Sequence, residues 1–152
     1  METPVSIKEC KLFLWMALNK KVPSWDHLQN NFSIGPSRCP LCKACSENVN
    51  HLFINFSYMT QVLDHTSPLI GVQLIWTGFD IEEALLAWTW NPTFKSNLAL
   101  PIILLWGAWL ARNKASFDDV YLQPFVYASK GITILKYLPQ VVDDTKQWRI
   151  RT

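Results

Sequence analysis

Between Leu98 and Leu110 the chain runs for 13 residues without a charge: Leu-Ala-Leu-Pro-Ile-Ile-Leu-Leu-Trp-Gly-Ala-Trp-Leu. A bilayer span needs about 20 such residues, so this stretch predicts a buried central helix and no membrane span. A helix that is apolar all round must be covered on every side. Pro101 belongs in its first turn, or else kinks it. Arg112, Asn113 and Lys114 suit its C-terminal end, where cations complement the helix dipole.

The rest of the sequence offers amphipathic helices as the cover. Residues 6–21 place Leu12, Trp15, Met16 and Asn19 on one side at helical spacing, with Phe13, Ala17 and Lys20 beside them. Pro23 ends this helix. Ser24 is a good N-cap for a second, short helix over 25–31, and Gly35-Pro36-Ser37 forms a loop. A third segment, 50–65, carries Leu52, Phe53, Phe56, Met59 and Leu63 as an apolar stripe, and Pro68 and Gly71 interrupt it. Asp80 opens a fourth helix with a capping box completed by Glu83. It carries Ile81, Leu85 and Trp88, and Asn91-Pro92 ends it. A last helix over 123–138 carries Phe125, Ala128, Ile132, Leu135 and Tyr137. No β-rich run and no internal repeat is present. The expected fold is all-α: a compact bundle of five or six helices around a loop that resembles a degenerate zinc knuckle. At 152 residues the chain is read as one domain. Residues 6–75 form a cysteine-bearing module, 76–140 an aromatic-rich helical extension and 141–152 a polar tail.

Apolar residues make up 49% of the chain and charged residues 17%, which excludes disorder. Eight Trp and eight Phe are many rings for one small core, and point to exposed aromatic surface. The net charge of +2 is too small for a dedicated nucleic-acid binder. The N-terminus has no secretory pattern, so the four cysteines are expected as reduced thiols in an intracellular compartment.

Cys39 and Cys42 have the spacing of half a zinc clamp, and His51 follows. Thiolate and imidazole suit zinc, and a closed structural site takes four ligands. Phe56 stands where the last one is expected. Three readings follow. Cys45 serves as fourth ligand; water fills the position; or no metal binds and the cysteines are small buried apolar residues. The sequence favours the last, because a core role on its own helix explains Phe56 fully. No Cys–His pair among Cys10, Cys39, Cys42, Cys45, His27, His51 and His65 stands out as a nucleophile. Redox chemistry at Cys-x-x-Cys lacks its βαβ setting. Glu82-Glu83, Asp118-Asp119 and Asp143-Asp144 read as caps or solvated faces, since adjacent helix residues do not face one way. Trp88, Trp90, Trp106 and Trp109 are candidate partner contacts, because Trp is enriched at interface hot spots.

Lys11-Leu12-Phe13-Leu14-Trp15, Leu18 through Pro23, Leu28, Gly35 through Cys42, Glu47 and His51-Leu52-Phe53 together resemble the zinc-binding domain of reverse transcriptases from plant non-LTR retrotransposons. On that resemblance Cys39, Cys42 and His51 match three zinc ligands, and Phe56 replaces the family's last cysteine. Trp106 through Trp109, Arg112-Asn113-Lys114 and Phe117 are similar to the helix that follows the zinc module in those elements, ahead of an RNase H domain. The resemblance covers most of 7–140 and implies a stand-alone product of a retroelement fragment, without the catalytic domains.

The resulting expectation is a non-catalytic interaction protein with no cofactor, acting through aromatic helix faces around 76–110. It would bind a host protein, associate with itself as a homo-oligomer, or both, as a co-opted regulator or a selfish factor. The alternative is a residual RNA or single-stranded DNA binder using Lys8, Lys11, Lys20, Lys21 and Arg38.

Overall fold

The computed structural model describes residues 7–24, 38–55, 57–94 and 99–136. Among these are α1 (Ile7–Leu18), a π-helical turn (His51–Asn55), α2 (Ser57–Ile70), α3 (Ile81–Trp90), α4 (Ala99–Phe117) and α5 (Pro124–Lys136). No strand occurs among the described residues, only an isolated antiparallel bridge between Arg38 and Ser46. The all-α expectation holds. The second helix expected over 25–31, Phe56 and the tail lie outside the described residues.

Helix α4 is the central helix that its composition demands. Leu100, Leu104, Leu105 and Ala111 are wholly buried, and Ile103, Ala108 and Trp109 nearly so. Pro101 sits in its first turn, where the helix needs no donor. α1, the π-turn and α5 pack against α4, and α2 lies along α5. Phe13 of α1 joins three of these elements. Its ring centroid is 5.6 Å from Phe53 in the π-turn, and 5.6 and 6.1 Å from Trp106 and Trp109 on α4. No helix among the described residues is long and apolar enough to cross a membrane.

Helix ends follow local chemistry. α1 stops at Leu18, short of the expected residue 21. Lys20 adopts the left-handed conformation (φ 56°), Lys20 N–H reaches the Ala17 carbonyl, and Lys21 N–H reaches that of Met16 at 2.8 Å. This is a Schellman end with lysine where glycine is usual. At α3 Asp80 caps the helix as expected, Oδ1 accepting from Glu83 N–H at 2.8 Å, and Glu83 Oε2 reaches back one residue past the N-cap, accepting from Phe79 N–H at 2.9 Å.

Pro68 does not interrupt the third segment. α2 continues through it to Ile70 and ends at Gly71, whose φ is +74°. Proline removes a donor to the carbonyl four residues back. Here that residue is Asp64, on the exposed side of the helix.

Candidate metal centre

The bridge between Arg38 and Ser46 closes a short loop that carries Cys39 and Cys42. Within it Cys39 N–H donates to the Cys45 carbonyl at 2.8 Å, and Lys43 N–H to the Cys39 carbonyl at 2.8 Å. Lys43 takes φ 59°, which turns the chain back under the second cysteine. The backbone N–H groups of Ala44 and Cys45 then point at the Cys42 sulfur, at 3.4 and 3.3 Å. Asn48 Oδ1 accepts from His51 N–H at 2.7 Å and starts the turn that presents the imidazole.

These local contacts bring Cys39, Cys42 and His51 together, with ligand atoms all within 4.8 Å of one another. Cys42 Sγ is 3.6 Å from His51 Nε2. A tetrahedral zinc with bonds of about 2.3 Å to sulfur and 2.0–2.1 Å to nitrogen holds such atoms about 3.6 Å apart. The donor set and its spacing fit zinc.

Electrostatics favour the ligating form at Cys42 and His51 and oppose it at Cys39. Burial acts to raise the Cys42 thiol, but hydrogen bonds from the Cys45 and Ala44 amides, then the Cys39 and Cys45 side chains, outweigh it, and the net shift is downward. Burial pushes Cys39 up to about 11, against the amides of Cys42 and Leu41. His51 is lowered by burial, partly countered by Glu47, which favours the neutral imidazole that ligates metal. The expectation that no cofactor binds is not supported. Cys39 is buried as that reading requires, yet Cys42 is only partly buried and has two amides aimed at its sulfur.

Cys45, the candidate fourth ligand, is exposed; its side chain hydrogen-bonds the Cys42 thiol, but its sulfur does not lie within 4.8 Å of all three convergent atoms. Phe56, the expected break in the ligand set, is outside the described residues. Of the four tryptophans expected at a partner surface, Trp88 and Trp109 are core, at 2% and 6% exposure. Trp106 is half-buried, and Trp90 faces solvent. Sequence periodicity already places Trp88 on the inner face of α3 with Ile81, and the uncharged run of α4 already calls for Trp109 to be covered. Lys8, Lys20, Lys21 and Arg38 are exposed and Lys11 is half-buried. Lys21 Nζ lies 5.9 Å from the Trp15 ring centroid.

The residue that sequence reading misplaces is Arg112. It is not at the end of α4 complementing the dipole; the helix runs on to Phe117. Arg112 is 2% exposed and forms a two-pronged ion pair with Glu47, Nε to Oε2 at 2.9 Å and Nη2 to Oε1 at 2.7 Å.

A family model described as zinc-binding in reverse transcriptase matches residues 3–62. This stretch, which contains all three convergent ligands, is similar to that family. No curated protein and no solved structure matches the chain.

Proposed function

We propose that this chain is a non-catalytic protein-interaction module of plant retroelement origin, working inside the cell by association with a host protein or with a second copy of itself. The observation that carries this reading is the outer face of α3. Ile81, Ala84 and Trp88 point into the core, while Leu86 and Trp90 are 51% and 81% exposed, and Phe79, just ahead of the N-cap, is 86% exposed. Large apolar side chains thus stand on the outer side of the helix as well as the inner one, and an exposed aromatic surface marks a site of association. A zinc ion held by Cys39, Cys42 and His51 would serve to cross-link the fold.

Sedimentation velocity tests the self-association arm. Wild type is expected to form a dimer or larger assembly at micromolar concentration, and Leu86→Ser with Trp90→Ser to sediment as monomer. Both substitutions are on the surface, so the fold survives them. A wild-type chain that stays monomeric, and whose co-purifying proteins are unchanged by the double substitution, would sink the proposal.

One observation favours a second reading. Trp15 is 53% exposed, with Lys21 beside it. An aromatic face flanked by cations suits stacking on single-stranded nucleic acid. Such binding would weaken steeply with salt and vanish in Trp15→Ala.

A further inference from the structure

The segment that joins the cysteine loop to the histidine is short, and each of its anchors has a definite partner. Ser46 pairs with Arg38 and closes the loop. Asn48 caps the turn that carries His51. Between them Glu47 is 1% exposed and reaches out of the module altogether, to Arg112 on α4. The contact spans 65 residues of sequence. Arg112 is itself fixed: its guanidinium lies 5.0 Å from the Trp109 ring centroid, and Nη1 donates to Asn113 Oδ1 at 3.1 Å.

We infer that Arg112 is a positioning residue for the metal centre: by holding Glu47 it sets where the Cys39–Cys42 loop and His51 stand relative to each other. The inference rests on the reading of these three residues as zinc ligands. It goes beyond the family match, which ends at residue 62 and does not reach α4. A buried carboxylate has a strong need for its counter-ion. When Arg112 is removed, Glu47 loses its two-pronged ion pair across to α4, and the chain on either side of it is released from that anchor. The hinge so released lies between the second sulfur and the imidazole. The metal site is therefore completed by a helix that contributes no ligand, and the zinc-binding unit extends to α4.

Zinc affinity of the full chain, measured by competition with a chromophoric chelator, tests this. The cobalt-substituted visible spectrum serves as a second readout of ligand geometry. Both are taken at a temperature where far-UV circular dichroism shows each variant folded. Arg112→Met is expected to weaken zinc about 10–100-fold, the range seen when groups that orient metal ligands are removed, and to change the cobalt spectrum. Arg112→Lys keeps the charge and loses the fork, and is expected to fall between. Glu47→Gln with Arg112→Met removes the stranded charge, so it should regain thermal stability without regaining affinity. Variants that lose stability but bind zinc as wild type does would make Arg112 a purely structural residue and overturn the inference alone. A wild-type chain that binds no zinc would overturn the metal reading itself, and the inference with it.

Discussion

The sulfur of Cys42 lies 3.6 Å from Nε2 of His51, the separation that a tetrahedral metal imposes. The protein is expected to carry a single zinc, lost in Cys42→Ser and in His51→Ala, as plasma mass spectrometry of the purified chain would show. Since burial pushes Cys39 up to about 11, binding near neutral pH must expel its proton. Apparent affinity should therefore rise with pH, roughly tenfold per unit for each proton released. A pH-independent affinity would exclude Cys39 as a ligand.

Gly107 lets α5 approach α4. A Cβ there would collide with the ring of Tyr127, which is buried. Gly107→Ala should cost about 2 kcal/mol, in the range of core overpacking. Combining it with Tyr127→Ala should cost less than the two changes summed, because they share one contact. Urea unfolding of the four proteins measures this.

Three helix ends use the left-handed conformation, at Lys20, Gly71 and Asp119, and the first two compare a lysine with a glycine. Lys20 holds it at φ 56°, Gly71 at φ +74°. A side chain there carries a penalty of about 1–2 kcal/mol. Lys20→Gly should raise the melting temperature and Gly71→Ala lower it, although nothing lies within 4 Å of a Cβ at residue 71. The second result would show backbone strain acting without any clash.

Cys10 gives the fold an alkaline limit. Burial raises its thiol from 9.0 to about 11. The native state thus holds this proton more tightly than the unfolded chain does. The associated stability is complete below pH 9.0 and is lost as pH rises toward 11. Cys10→Ala should flatten the melting curve against pH across that window; an unchanged slope would rule Cys10 out as its source.

Much of the architecture was legible in local sequence. Asp80 and Glu83 announce the start of α3 because a cap is a contact between near neighbours. The uncharged run after Leu98 announces α4 because its length excludes a bilayer. Spacing alone picks out Cys39, Cys42 and His51 as a candidate ligand set, but Phe56 turns the sequence reading toward no metal, because convergence of the three side chains is not visible in the sequence. Pro68 was read as a break, since nothing local says that Asp64, whose carbonyl loses its donor, faces solvent. The π-turn at His51–Asn55 has no sequence signature. Part of its support is distant, Trp76 Nε1 donating to the Phe53 carbonyl at 2.8 Å. Arg112 was assigned to its own helix end because its partner is 65 residues away.

That separation has a consequence for how the protein is made. During synthesis Glu47 leaves the ribosome 65 residues before Arg112. All three candidate ligands are then in solution while the carboxylate between them is still hydrated and the loop unanchored. On the inference above, any zinc captured at that stage would be held by local geometry alone, and the site would mature only when α4 has been synthesised and docked.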